Sequence, residues 1–170
     1  HAGIERATRL VDQLLTLSRL DSLDNLQDVA DISLEELLQS AVMDIYHPAQ
    51  QAHIDVRLQI NAHDIKRMGQ PLLLSLMVRN LLDNAIRYSP QGSIVEVPLN
   101  SRYFSVKDNG PGVAPEVLTH IGERFYRPPG QSVTGSGLGL SIVRRIVTLH
   151  GMSASFGNAP QGGFEAKVSW

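Results

Sequence analysis

The chain has 170 residues, 42% of them hydrophobic and 19% charged, with a net charge of −2 and no cysteine. That length accommodates one ordinary domain plus a short appendage, and the composition is that of a globular chain. The near-neutral charge gives no general affinity for polyanions, and the missing thiols exclude disulfides, thiolate metal sites and cysteine nucleophiles.

No apolar run approaches the roughly 20 residues needed to cross a bilayer, and no signal-peptide pattern is present. The chain opens at His1, already inside a helical pattern, which predicts a piece of a longer protein. Ile4, Ala7, Val11, Leu14 and Leu15 recur at helical spacing. This stripe suits either a partner helix, as in a dimer, or the chain's own domain. Residues 21–28 are polar and break the period, as a linker does. A strand is expected at Val29–Ile32. Ser33 followed by Glu36 is a capping-box start for a helix whose apolar face carries Leu34, Leu37, Leu38, Ala41, Val42 and Ile45.

His53–Ile60 alternates as a half-buried strand does. A third helix is predicted from about Gln70 to Arg87, then a turn at Ser89-Pro90-Gln91-Gly92. Strands are predicted at Ile94–Leu99 and Arg102–Lys107. Residues 113–135 form a long Pro- and Gly-rich segment with a short helix near 115–121. A helix from about Ser136 to His150 is closed by Gly151, and strands follow at Ser153–Phe156 and Phe164–Trp170. The order β-α-β-α-β-β, long loop, α-β-β predicts an α+β fold. It would be a two-layer sandwich of a mixed, mostly antiparallel sheet with helices on one face, preceded by an N-terminal helix.

Four clusters carry chemistry. Asn80, Asn84, Arg87 and Tyr88 form one stripe of the third helix, about 120° from the apolar stripe of Leu74, Val78, Leu81, Leu82 and Ala85. Amide oxygens are hard neutral ligands suited to Mg²⁺, and Arg87 can meet a phosphate; the same stripe also reads as a solvated helix face. Asp83, the only acid nearby in the helix, is expected on a different face. Asp108-Asn109-Gly110-Pro111-Gly112 sets a carboxylate before two glycines. An ionised carboxylate only accepts hydrogen bonds, so it suits a donor such as a purine amine, and glycines permit a tight turn and close approach. An ordinary turn has the same letters.

Glu123-Arg124-Phe125-Tyr126-Arg127 suits a lid, with Phe125 docking on apolar surface and Arg127 near phosphate, or simply the anchor of a surface loop. Gly135-Ser136-Gly137-Leu138-Gly139-Leu140 opens a helix with exposed N–H groups, which favours anions; a hinge would look alike. It is neither a dinucleotide fingerprint nor a Walker A loop. The 6 histidines show no metal-ligand spacing. No Ser/His/Asp elbow is present, and no basic stripe suggests a nucleic-acid partner.

Taken in order, these clusters resemble the catalytic ATP-binding domain of sensor histidine kinases, in the superfamily of Hsp90, DNA gyrase B and the MutL mismatch-repair proteins. Asn80–Ser89 looks like the N box, Asp108–Gly112 the G1 box, Arg124–Arg127 the F box and Gly135–Leu140 the G2 box. The Gly162-Gly163-Phe164 turn resembles the final glycine motif. The resemblance covers residues 29–170, and residues 1–22 resemble the second helix of the dimerisation and phosphotransfer hairpin, with 23–28 as linker.

The resemblance implies a Bergerat-type ATP-binding fold. It implies an adenine contact at Asp108 and Mg²⁺ on Asn80 and Asn84. Tyr88, Phe125, Gly110 and Gly112 would line the nucleotide site. Arg87, Arg127 and residues Gly135, Ser136, Gly137, Leu138, Gly139 and Leu140 would lie at the phosphates. It further implies a homodimeric parent, a response-regulator partner and the cytoplasmic portion of a bacterial inner-membrane sensor. The family's phosphoacceptor motif, a His followed by an acid and Arg-Thr-Pro-Leu, is absent, so the histidine is expected upstream. An ATP hydrolase of the superfamily and a non-catalytic nucleotide sensor are the alternatives.

Overall fold

The computed structural model describes residues 2–121, 123–124 and 138–170. The N-terminal pattern forms helix α1 (Ala2–Asp21). Strand β1 (Ala30–Ser33) leads into α2 (Leu34–Asp44), which Ser33 caps by accepting the Glu36 N–H at 3.3 Å. A short helix α3 (Tyr46–Gln51), strand β2 (Asp55–Ile60) and strand β3 (Lys66–Gly69) follow. Then come α4 (Pro71–Tyr88), β4 (Ile94–Leu99), β5 (Tyr103–Asp108), α5 (Pro115–Leu118), α6 (Gly139–Leu149), β6 (Ser153–Asn158) and β7 (Phe164–Ser169).

Five strands form one sheet in the order β2-β4-β5-β7-β6; β2 and β4 are parallel and the other neighbours antiparallel. The mixed, mostly antiparallel sheet with helices on one face is as expected. Its apolar face (Val95, Val97, Leu99, Phe104, Val106, Val168) packs against the buried stripes of α4 and α6. Each such side chain contributes about 1.5–3 kcal/mol on burial. The opposite face carries Arg57, Glu96, Lys107 and Lys167. The β4–β5 ladder pairs Val95 with Asp108 and Glu96 with Lys107, then resumes at Leu99–Phe104; Pro98 between them has no N–H to donate. This register brings Asp108 to the end of β5, where the chain leaves the sheet.

Three elements differ from the expectation. The first strand joins β3 in a separate two-stranded sheet; Lys-Arg-Met-Gly is too short and polar to announce β3. Helix α3 lacks apolar periodicity and contains Pro48. His53 is not in β2, because its φ of +57° closes α3 in the left-handed conformation. No helix among the described residues is long and apolar enough to cross a membrane.

Helix α1 packs on its own domain mainly at its C-terminal end, where Leu17 and Leu20 are buried beside α6, with Leu10 partly buried against the same core. Val11 and Leu15 stay 53% and 50% exposed, so most of the predicted stripe is uncovered in the single chain. Arg145 of α6 secures the junction. It donates to the Leu20 and Leu23 carbonyls at 3.2 and 2.8 Å, satisfying backbone acceptors at a helix end.

Candidate functional site

Asp108 sits where β5 ends. Its Oδ1 accepts the Gly110 N–H at 2.8 Å and the Phe164 N–H at 3.3 Å. Both backbone donors use the same oxygen, so the carboxylate is fixed in place, and Oδ2 accepts no hydrogen bond among the described residues. The loop after it is held at two more points. Asn109 Oδ1 accepts the Ile94 N–H at 2.9 Å. Asn158, at the end of β6, accepts from Val113 N at 2.8 Å and donates to Val113 O at 2.7 Å. Gly112 takes φ +78°, a conformation that glycine adopts without strain.

Helix α4 begins with Gln70 accepting the Leu73 N–H at 2.8 Å and Pro71 in its first turn. It buries Leu74, Met77, Val78, Leu81 and Leu82, which turns Asn80, Asn84, Arg87 and Tyr88 away from the core. Asn80 Nδ2 donates to Leu76 O at 2.9 Å. That bond fixes the amide and leaves its oxygen toward the start of α6, 3.4 Å from where a Cβ on Gly139 would stand.

A cavity of about 1060 Å³ joins these groups. Asn80, Asn84, Arg87 and Tyr88 line it from α4, Asp108 and Gly112 from the β5 loop, and Gly139 and Leu140 from α6. It is the size of a pocket for a drug-sized or larger ligand. Asp83 also lines it, contrary to the expected separation. At 100° per residue Asp83 lies only about 60° from Asn80, and the cavity wraps far enough round α4 to include it and Arg79. Its carboxylate is paired with Arg79 at 3.1 Å.

A family model described as histidine kinase-, DNA gyrase B-, and HSP90-like ATPase matches residues 69–170, more than half of the chain. The chain belongs to this ATPase family. It is 86% identical over 170 residues to the sensor protein QseC of Salmonella typhimurium, covering all of this chain and 38% of that protein. The chain therefore spans well under half the length of such curated relatives. Among solved structures, the cytoplasmic segment of histidine kinase QseC matches with 68% identity and a TM-score of 0.71, covering 98% of this chain and 93% of that one. Full-length ShkA in complex with AMPPNP matches with 25% identity and a TM-score of 0.82, covering 94% of this chain and 34% of that one.

Within this ATPase domain, two expected residues stand off the cavity wall. Gly110 is pressed against Pro90, which a Cβ would approach to 3.2 Å. Leu138 is fully buried, and its carbonyl accepts the Ile142 N–H at 2.9 Å in the first turn of α6. Phe125, Tyr126, Arg127, Gly135, Ser136 and Gly137 lie outside the described residues. The expectations had no place for the apolar walls Pro90, Val113, Ile121 and Phe164, nor for α1. Thr8, Arg9, Asp12, Gln13 and Thr16 line the cavity from α1. Their i, i+4, i+8 spacing was the available signal, a polar stripe beside the apolar one.

Proposed function

We propose that the chain is the ATP-binding catalytic part of a two-component sensor histidine kinase. In this reading residues 29–170 are the catalytic domain, 23–28 the linker and 1–22 the remnant of a dimerisation and phosphotransfer hairpin. The observation that carries the reading is Asp108, held by two backbone donors with one oxygen left over, in the same cavity as Asn80, Asn84 and Gly139. A carboxylate fixed as an acceptor selects the amine of adenine over an acceptor at the same position. The similar ShkA structure is a complex with AMPPNP, an ATP analogue, which supports a nucleotide here.

With adenine at Asp108, the polyphosphate runs toward the asparagines and the start of α6. The N-terminus of a helix such as α6 favours anions. Asn80, its amide oxygen freed by the bond to Leu76, and Asn84 offer the neutral oxygen donors that suit Mg²⁺. When bound, the metal neutralises phosphate charge. Arg87 adds a cation on the same wall, and Tyr88 lines the nucleotide site. An imidazole nitrogen outside this sequence attacks the γ-phosphoryl in line, so the protein's task is positioning and charge compensation. The phosphoryl group then passes to an aspartate of a response regulator. The assignment to the cytoplasmic side of a membrane sensor follows the relative described as the cytoplasmic segment of QseC. Exposed Val11 and Leu15 suit a helix of a second protomer.

Because the sequence has no phosphoacceptor motif, the chain incubated alone with labelled Mg-ATP should acquire no label. Acid-labile phosphate on any of its 6 histidines, detected by mass spectrometry, would contradict this assignment of roles. One observation favours a second reading, ATP hydrolysis: Asp83 lines the cavity and could orient a water. It ranks second because its carboxylate is already paired with Arg79. Steady release of inorganic phosphate from ATP, lost in Asp83→Asn, would reverse the ranking.

A further inference from the structure

Helix α1 lines the cavity with Ile4 and its polar stripe. Arg9, Asp12 and Thr16 of α1 line the same cavity as Asn80, Asn84 and Asp108. The helix is seated there by Leu10 against the core and by contacts further along, remote from Arg9. Leu17 and Leu20 are buried, Arg145 binds the carbonyls at its end, and Arg124 Nη2 donates to both Asp21 oxygens at 2.9 and 2.7 Å. Of the cavity's cations, Arg79 is paired with Asp83, whereas Arg9 forms no ion pair among the described residues, Asp12 included. An unpaired guanidinium offers five donors in a planar fork that matches phosphate oxygens.

We propose that α1 is one wall of the nucleotide site and that Arg9 binds the polyphosphate chain of the nucleotide. The proposal rests on the nucleotide reading above. It assigns phosphate recognition to a helix outside the span of the family model, residues 69–170. A contact from α1 also makes nucleotide affinity depend on where α1 sits, so a movement that lifts α1 off α6 withdraws a phosphate ligand.

The test is calorimetric titration of four forms of the chain with adenosine and with a non-hydrolysable Mg-ATP analogue, at low and high salt. The forms are wild type, Arg9→Gln, Arg9→Lys and Asp108→Asn. Arg9 is exposed on a helix surface, so Arg9→Gln should fold normally. The expected result is about tenfold weaker binding of the ATP analogue by Arg9→Gln, as for loss of a charge-assisted hydrogen bond, with adenosine affinity unchanged. Arg9→Lys should recover part of the loss, and the gap between wild type and Arg9→Gln should narrow as salt screens it. Wild-type affinity of Arg9→Gln for the ATP analogue would overturn the proposal. So would an equal loss for adenosine, which marks a packing role. Failure of the underlying reading shows separately, as wild-type adenosine affinity in Asp108→Asn.

Discussion

Asp108→Asn should weaken binding of a Mg-ATP analogue at least about 100-fold while the chain stays folded. The side-chain oxygen of Asn can still accept from Gly110 N and Phe164 N, the two bonds that hold Oδ1 now. The loop therefore keeps its shape, and the amide nitrogen falls where Oδ2 was. A donor then faces the donor amine of adenine. A charge-assisted hydrogen bond worth about 1.5–3 kcal/mol is lost and two buried donors are left opposed. Calorimetry measures the affinity and a thermal melt checks the fold. Wild-type affinity in a folded variant would remove Asp108 from the adenine site.

Gly163→Ala should be the most damaging small substitution in the domain. Gly163 has φ +85°, where a side chain is already strained. A Cβ there would also fall inside the van der Waals shell of the Asp108 backbone carbonyl. Backbone cannot swing aside as a side chain can, so the β7 turn must separate from Asp108, taking the Phe164 N–H with it. The expected cost is about 3 kcal/mol or more of stability, together with a loss of nucleotide affinity. Gly151→Ala is the matched comparison. Its φ is +67°, but nothing lies within 4 Å of an added Cβ, so only the conformational cost of about 1–2 kcal/mol applies and binding should persist. Denaturation followed through Trp170, the one tryptophan, measures both. Equal destabilisation of the two variants would mean that the close approach to Asp108 does not matter.

The parts of the fold legible in the sequence were those specified locally. Helix α4 announces itself through Leu74, Val78, Leu81 and Leu82, and β4 matches its predicted span at Ile94–Leu99. Helix α2 starts at the Ser33 cap as read. The parts that were not legible depend on distant partners or on a backbone conformation. Strand β3 exists because β1 pairs with it. His53 leaves its strand because it closes α3 with a positive φ.

The same division holds for the site. Asp108 and the Asn80 stripe were visible because their spacing fixes where they sit on one strand end and one helix face. The wall contributed by α1 was not, because it depends on Leu17 and Leu20 seating against α6 more than a hundred residues away. Asp83 was misplaced for a related reason: helix projection gives an angle, while the width of the cavity is set by elements packed around α4.

In the proposed nucleotide complex, Asp108 reads the amine of adenine in a nucleotide that spans the cavity to the asparagines and α6. Adenine presents an amine donor where guanine presents a carbonyl acceptor, and an acceptor facing a carboxylate is repelled. Titration of the chain with non-hydrolysable ATP and GTP analogues in Mg²⁺ separates them directly. One-to-one binding of the ATP analogue, at least about 100-fold tighter than the GTP analogue, is the predicted result. Equal affinities, or no binding of the ATP analogue, would contradict it.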